Sequence, residues 1–347
     1  MKIAVYAISK NEEQFVKTFC ESAKEADLVV IGDTGSTDNT VQVAKDCGAT
    51  VYNIYINPWR FDKARDAVLA LLPADIDVCI ALDLDEQLEP GWRQEIERLW
   101  TPGVTRLGYL YNWGHGKIFK STKIHARKGY HWHHPCHEYI RNDLRVPEVY
   151  AWSDMMMITH HPDETKSRGQ YMDLLEMSVQ EDPRCPRNAF YYARELTYYK
   201  EWEKAIVALK KFLEMPEAQW KNEKAYAMRL IGECEDNLGR DGMEWFRKGV
   251  AEEPHAREPW LALSRAAASR GLWAESYGAA LSALAIKDRL NIYTEEASSF
   301  GYIPYDYAAL AAYYLGLKEE ALKYGKQAVE LEPTNERLIK NLEFYKE

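Results

Sequence analysis

The sequence is poor in the features that define several large protein classes. Its six cysteines among 347 residues, Cys20, Cys47, Cys79, Cys136, Cys185 and Cys234, form no CxxC pair. That excludes a regularly spaced disulfide framework and a cysteine zinc site, and it fits a reduced, cytoplasmic setting. No run of about 18 apolar residues occurs, so no membrane span is expected. The apolar stretch Ile3 to Ile8 meets Lys10, Glu12 and Glu13 at once and is too short for an export signal. Basic charge is in deficit: 44 Lys and Arg stand against 54 Asp and Glu, a net of −10, which excludes a surface coated in cations for non-specific nucleic-acid binding. A Gly-rich dinucleotide loop is also missing, which removes support for a nicotinamide enzyme.

What is present is a globular composition, 46% hydrophobic and 28% charged, long enough for two domains. The charge is segregated. Residues 1–100 carry ten basic and eighteen acidic side chains, whereas residues 101–150 carry eight basic and three acidic. Up to about Leu175, short apolar runs alternate with helical patterns: Ile3 to Ile8, Asn11 to Lys24, Leu28 to Ile31, Asn39 to Cys47, Val51 to Ile56, Phe61 to Leu71, and Val78 to Leu82. This is the βαβ grammar of an open α/β sheet, whose ligands bind at the carboxyl ends of the strands. Polar clusters stand at those ends, at Ser9 to Glu13, Asp33 to Asp38 and Asp83 to Glu86.

After about Asp182 the pattern turns helical. Leu315 to Ala321 and on to Pro333, Tyr199 to Ala205, and Arg270 through Ala283 can be laid on one frame, with Leu238 through Pro254 fitting loosely and Leu290 to Pro304 reading as an insertion. These units resemble tetratricopeptide repeats, which stack helix pairs. The expected domains are therefore 1–175 and 183–347. Tyr191, Tyr192, Tyr198, Tyr199 and Trp202 sit at helical spacing and read as packing.

The central chemical signal is Leu82-Asp83-Leu84-Asp85-Glu86 directly after a buried strand. Carboxylates two apart at a strand end can face one crevice and hold a hard divalent cation. Asp33-Thr34-Gly35-Ser36-Thr37-Asp38 follows the second strand: Gly35 suits a tight turn, Ser36 to Asp38 read as helix capping, and Asp33 can accept hydrogen bonds from a base or ribose. Eight of the nine histidines lie between His115 and His161. His131, His133 and His134 alternate as on a half-exposed strand.

Together with Lys10 to Glu13 and Trp59 to Arg65, these motifs in this order resemble a family 2 glycosyltransferase, over about residues 1–175. The resemblance implies an α/β GT-A nucleotide-diphospho-sugar transferase domain, here followed by an all-α tetratricopeptide-like helical domain, an arrangement of bacterial and phage type. It implies an inverting, metal-dependent transferase using a UDP-sugar. Ala7, Ser9 and Asp33 would receive uracil and ribose, Arg65 would reach the base or diphosphate, and Asp83 would contact ribose or a metal-bound water. Asp85, with Asp83 and the histidine of Thr159-His160-His161, would hold Mn²⁺ or Mg²⁺; His160 fits the register better, and the choice against His161 is open. Glu86 would cap or orient Asp85, and Lys166 and Arg168 would close over the diphosphate.

Inversion needs one general base on the acceptor side. Glu138 is the candidate, the other reading of it being a salt bridge to Arg127 or Arg141. The acceptor is open between a hydroxymethylated DNA base, a protein or peptide, and a polysaccharide precursor. Lys117, Lys120, Lys123, Arg127 and Lys128, mixed with Tyr130 and Trp132, suit a nucleic acid or form a solvated hairpin beside the acidic site. A homodimer through the repeats fits the second half. So does an inactive repeat scaffold whose first domain only binds a UDP-sugar. A phage-encoded enzyme would work in the host cytoplasm.

Overall fold

A computed structural model describes residues 1–144, 147–163, 169 and 171–346. The chain forms two compact units, Met1–Gln180 and Glu181–Glu347. The first runs five residues beyond the expected 175 and takes in all but the last residue of the helix that begins at Tyr171.

The first unit opens with β1 (Ile3–Ser9), α1 (Glu13–Ser22), β2 (Leu28–Asp33), α2 (Thr40–Asp46), β3 (Thr50–Asn53), α3 (Phe61–Leu71) and β4 (Val78–Ala81), which matches the alternation read from the sequence. There follow β5 (Glu86–Leu88), α4 (Trp92–Leu99), β6 (Arg106–Gly114), β7 (Lys117–Ala126), β8 (Tyr130–His133), β9 (Tyr139–Asn142), β10 (Tyr150–His160) and α5 (Tyr171–Glu181). Among the described residues the main sheet runs β3-β2-β1-β4-β7-β6-β10-β5, and β8 and β9 form a separate ribbon. β1, β2, β3 and β4 are parallel, and β7 joins β4 and β6 antiparallel.

All seven residues of β1 are buried, as a central strand covered on both faces must be. Its side chains divide by parity. Ile3, Val5 and Ala7 join Val16, Phe19, Trp92 and Ile96 on one face, while Ala4, Tyr6 and Ile8 join Ala64, Val68 and Leu69 on the other. Two apolar layers thus clamp one strand, and each fully buried Ile, Val or Phe contributes about 1.5–3 kcal/mol. On β2, a Cβ at Gly32 would lie 2.2 Å from Val68 Cγ2. Only glycine lets α3 press this closely on the sheet.

β5 fixes the position of the acidic turn. Directly after Asp83–Asp85 the chain crosses to the far edge of the sheet and pairs antiparallel with β10, with Leu88 opposite Ile158 and Glu86 opposite His160. Residues 70 to 74 apart in sequence are thereby held side by side.

His125 on β7 is fully buried. Its Nδ1 faces the carbonyl of Ala126 at 2.8 Å, so Nδ1 carries the proton and Nε2 accepts from the Tyr6 hydroxyl at 2.9 Å. The Trp132 indole N–H in turn donates to Tyr6 Oη at 2.9 Å. Burial pushes the imidazole pKa down from 6.5 to about 3.

In the second unit α6 (Pro186–Tyr198) pairs with α7 (Trp202–Glu214), α8 (Lys221–Asn237) with α9 (Met243–Glu252), α10 (Arg257–Ala268) with α11 (Trp273–Ala285) and α12 (Ile303–Tyr314) with α13 (Lys318–Leu331). α14 (Glu336–Phe344) packs on the last pair. Successive first helices also touch one another, giving the stacked helix pairs of a tetratricopeptide-like array. Ala309, Ala312 and Ala321 are fully buried between the helices of the last pair. Tyr191 is buried as expected, but Tyr198 and Tyr199 are about half exposed and pack less than the periodicity suggested, since they close the last turn of α6.

The turn inside each pair carries one left-handed residue: Lys200 (φ 60°), Gly239 (74°), Gly271 (69°) and Gly316 (76°). Lys200 alone among these four has a Cβ to accommodate there.

Two outcomes are expected. Lys200→Gly should stabilise the second unit by up to about 1 kcal/mol, read as a raised urea midpoint; an unchanged or lower midpoint would remove the strain assigned to this turn. A histidine whose folded pKa is depressed gives stability that is complete above its unfolded pKa and is lost as pH falls towards the folded one. Between pH 6.5 and about 3, the wild type should therefore lose up to about 1.4 kcal/mol per pH unit more than His125→Gln, measured by urea unfolding across that range.

Candidate active site

The carboxyl ends of β1, β2 and β4 gather the polar clusters. Asp33, at the end of β2, is buried beside Ser9. Its Oδ1 accepts from Ser9 Oγ at 3.0 Å, and its Oδ2 accepts the backbone N–H groups of Gly35 (3.0 Å) and Ser36 (2.9 Å). The Asp33 carboxylate therefore shapes its own loop, where Gly35 takes φ 103°. The N–H of Asn11 donates to Ser36 Oγ at 2.9 Å and that of Thr37 to Asn11 Oδ1 at 2.7 Å. Asp38 accepts from the backbone and hydroxyl of Thr40 at 3.0 and 2.6 Å and from the Glu13 N–H at 3.2 Å. Of the three residues read as helix capping, only Asp38 binds the start of α2, whose N-cap is Asn39; Ser36 and Thr37 instead stitch the second loop to the first through Asn11.

Arg65 projects from α3 into the next cluster, with its side chain 5% exposed. Its Nη2 meets Asp83 Oδ1 at 2.5 Å and its Nε meets Glu138 Oε1 at 2.6 Å. Its guanidinium lies 5.0 Å from the Trp132 ring centroid. Burial works against the guanidinium charge, but Asp83 and Glu138 outweigh it and hold the pKa well above its ordinary value. Arg65, expected to reach a base or diphosphate, here bridges two carboxylates. Glu138 does make an ion pair, though with Arg65. Arg127 instead donates to the Leu72 carbonyl at the end of α3, and Arg141 to Asp143. Glu138 Oε2 makes no hydrogen bond among the described residues.

The side chain of Glu86 is 2% exposed. Its Oε1 accepts from Tyr111 Oη (2.6 Å) and Lys123 Nζ (2.9 Å), and its Oε2 from the Asp83 N–H (3.0 Å). It thus orients the backbone at Asp83 rather than the side chain of Asp85. Lys123 also lies 3.6 Å from Asp83 Oδ2. Burial opposes its charge and the two carboxylates more than restore it, so its pKa stands above the usual lysine value. The basic stretch is accordingly turned inward at Lys123 and at Arg127, because β7 lies beside β4 and brings Lys123 to the acidic turn.

Asp85 and His160 come together across the β5–β10 pairing, Oδ2 to Nε2 at 3.4 Å, each side chain 11% exposed. Burial lowers the imidazole pKa, and Asp85 and Glu86 together raise it above the ordinary value. His161 is exposed and gives only its backbone N–H to the Asp85 carbonyl, at 2.7 Å. Of the two histidines, His160 is the one beside the carboxylate. Trp113 lies against His160 with ring centroids 4.5 Å apart. Asp83, the third metal candidate, is ion-paired with Arg65 and lies near Lys123. Among the described residues no three metal-binding side chains converge at one point. Asp85 and His160 are a pair of hard and borderline donors that suit a divalent cation whose remaining positions come from a ligand. Lys166 and Arg168 lie outside the described residues.

Sequence reasoning missed Tyr111, Lys123 and Trp113 as parts of this site. For Lys123 the signal was visible as a cation on a strand, but its target could be known only from strand order. Among the described residues Arg65 and Lys123 share the Asp83 carboxylate, Arg65 joining it to Glu138 and Lys123 to Glu86.

Residues 5–162 match the sequence profile of glycosyl transferase family 2. Among curated relatives, an uncharacterized glycosyltransferase of Rickettsia prowazekii is 32% identical over 101 residues, 29% of this chain and 33% of the relative. The lipopolysaccharide core biosynthesis glycosyltransferase LpsC of Rhizobium meliloti is 30% identical over 125 residues, 33% of this chain and 46% of that protein. The chain thus matches between a third and a half of the length of these relatives. Among solved structures, MamA is 19% identical with a TM-score of 0.38, over 48% of this chain and 89% of that one. Glucosyl-3-phosphoglycerate synthase of Mycobacterium tuberculosis is 22% identical with a TM-score of 0.28, over 33% and 46%. Among the described residues no helix is long and apolar enough to cross a membrane.

Removing one partner of a buried ion pair costs about 3–5 kcal/mol, because the other charge is left uncompensated. Lys123→Met should destabilise the first unit towards the lower end of that range, as Lys123 is 27% exposed, and adding Glu86→Gln should restore part of the loss. A double-mutant cycle by urea unfolding measures the coupling; strictly additive losses would show that the pair is not coupled.

Proposed function

We propose, from an N-terminal domain of the family 2 glycosyltransferase kind, that the chain transfers a sugar from a UDP-sugar to a hydroxyl of a macromolecular acceptor, with inversion. The observation that carries this reading is the link from Glu138 through Arg65 to Asp83, two residues before Asp85, which is itself beside His160. Glu138 is a partly desolvated carboxylate held through one oxygen by Arg65, and its second oxygen makes no hydrogen bond among the described residues.

In this reading the roles divide by position. Glu138 takes the proton from the acceptor hydroxyl as that oxygen forms its bond to the anomeric carbon, and the bond from that carbon to the UDP oxygen breaks on the opposite face. Arg65 fixes the orientation of Glu138. Ser9 and the loop shaped by Asp33 form the floor beneath the nucleoside. Asp85 and His160 would hold Mn²⁺ or Mg²⁺, which when bound neutralises charge on the departing diphosphate. Of the five cations that pointed to a nucleic-acid acceptor, Lys123 and Arg127 are engaged within the domain while Lys120 and Lys128 are exposed, so the acceptor hydroxyl stays open between a nucleic-acid base, a protein or peptide, and a saccharide.

UDP release from a panel of UDP-sugars, with Mn²⁺ and with chelator, tests the reading. Chelator-sensitive release from one sugar is expected, and neither release nor UDP binding would overturn it. Glu138→Gln should lower transfer about 10²- to 10⁴-fold while UDP-sugar affinity stays near wild type. Asp85→Asn should raise the Mn²⁺ concentration needed for half-maximal rate at least about tenfold. Unchanged transfer in the first variant would remove Glu138 as the base, and an unchanged Mn²⁺ requirement in the second would remove Asp85 as a ligand.

A further inference from the structure

The helix pairs of the second unit do not repeat evenly. Gly239 and Gly271, at equivalent turns, are 32 residues apart, whereas Gly271 and Gly316 are 45 apart. The extra residues lie between α11 and α12, and they do not project as a free loop. They form a strap, residues 286–301, with one turn of 3₁₀ helix at Ala297–Phe300, that runs across the first helices of three successive pairs.

The Tyr293 ring stacks 6.2 Å from Tyr191 of α6, lies 5.3 Å from Trp220 just before α8, and directs its hydroxyl to Glu223 of α8. Three residues on, Glu296 accepts from Arg229 of α8 at 2.6 Å, and its backbone N–H donates to Glu258 of α10 at 2.9 Å. Arg257 of α10 donates to the carbonyls of Ile286 (2.8 Å) and Ser299 (2.9 Å), and its guanidinium lies 4.0 Å from the Phe300 ring centroid.

The chemistry of this contact is that of a docked segment. A face destined to be covered permanently is most cheaply built from apolar side chains, since burying charged groups is weak evidence for stability. Here the covered face keeps Glu223, Arg229, Arg257 and Glu258, and each meets a polar group of the strap. Aromatic anchors ringed by charge-assisted hydrogen bonds are the anatomy of a separable interface. The fit is also incomplete. A cavity lined by Asn222, Tyr226, Arg229, Glu258 and Thr294 lies between strap and helices, and Arg229 Nε is buried without a hydrogen bond among the described residues.

We propose that the strap is a displaceable, tethered ligand of the helix face it covers. The face takes an extended peptide bearing an aromatic hydroxyl with a carboxylate three residues on, as Tyr293 and Glu296 provide, and a partner of that chemistry binds by displacing the strap. The proposal is independent of the sugar-transfer reading.

A fluorescein-labelled synthetic peptide spanning residues 288–300, titrated into the full chain, tests it. Tethering gives the strap a large effective concentration. The wild type should therefore bind the peptide at least about tenfold more weakly than the Tyr293→Ala/Glu296→Ala chain, and adding Arg229→Ala to that chain should abolish binding. Equal binding by wild type and double variant, or no binding by a double variant of unchanged helical circular dichroism, would overturn the proposal. If the double variant loses helix, hydrogen exchange of Glu296→Gln decides. Faster exchange confined to residues 288–300 supports a displaceable strap, and loss of protection throughout α6, α8 and α10 makes it a structural element and ends the proposal.

Discussion

The first domain depends on one buried cation. Arg65 joins three segments that the sheet alone would leave apart: α3, the turn after β4 through Asp83, and the approach to β9 through Glu138. A guanidinium can do this because its planar fork offers separate donors, Nη2 to one carboxylate and Nε to the other, and because it keeps its charge when desolvated. A lysine at the same place would present one point charge to two carboxylates facing different ways. The cost of burying the cation is met only by both carboxylates together, so geometry at one of them depends on the presence of the other. The rest of the first domain can be read as the means of holding this contact still: Gly32 lets α3 sit close to the sheet, and Trp132 covers the guanidinium face.

A second constraint acts at right angles to the first. The turn holding Asp85 is pinned on one side by Glu86, which is shared among Tyr111, Lys123 and the Asp83 N–H. On the other side, the β5–β10 register puts His160 opposite Glu86. A strand register is discrete, and a slip of one residue would turn His160 to the other face and remove it from Asp85. The Asp85–His160 pair therefore rests on backbone pairing, and the Glu138 position on side-chain ion pairing. The two halves of the site are built by different forces and should respond differently to salt and to mutation.

How much of this was legible in the sequence depends on which interactions are local. The strands and helices up to β4 could be read because apolar runs such as Ile3 to Ile8 and Val78 to Leu82 report burial on both faces directly. Loop capping by Asp38 could be read because it spans two residues. Asp85 and Glu138 stood out by residue type and position. What could not be read is whatever depends on strand order. Lys123 looked like one cation in a basic hairpin, and only the antiparallel placement of β7 beside β4 shows that it points at Glu86 and Asp83. The ion pair of Glu138 was legible as a possibility but not its partner, since Arg65 is 73 residues away and Arg127 and Arg141 are near in sequence. In the second domain the unit from Tyr199 to Ala205 could be read although Lys200 stands where the other three pairs have glycine, while the unit around Gly239 fitted the frame only loosely.

The two networks meet at one side chain. Arg65 holds Asp83 together with Glu138, and Lys123 holds Asp83 together with Glu86. Loss of either Glu138 or Glu86 would leave one cation still paired through Asp83, whereas loss of the Asp83 carboxylate loosens both cations at once. Two residues on, Asp85 carries the same acidic field to β10. Burial favours the neutral form of His160, while the hydrogen bond and charge of Asp85, with Glu86 behind it, favour the protonated one, and the carboxylates prevail. The turn after β4 therefore acts as one electrostatic unit, in which Asp83 ties α3 and β7 together and Asp85 ties that unit to the end of β10.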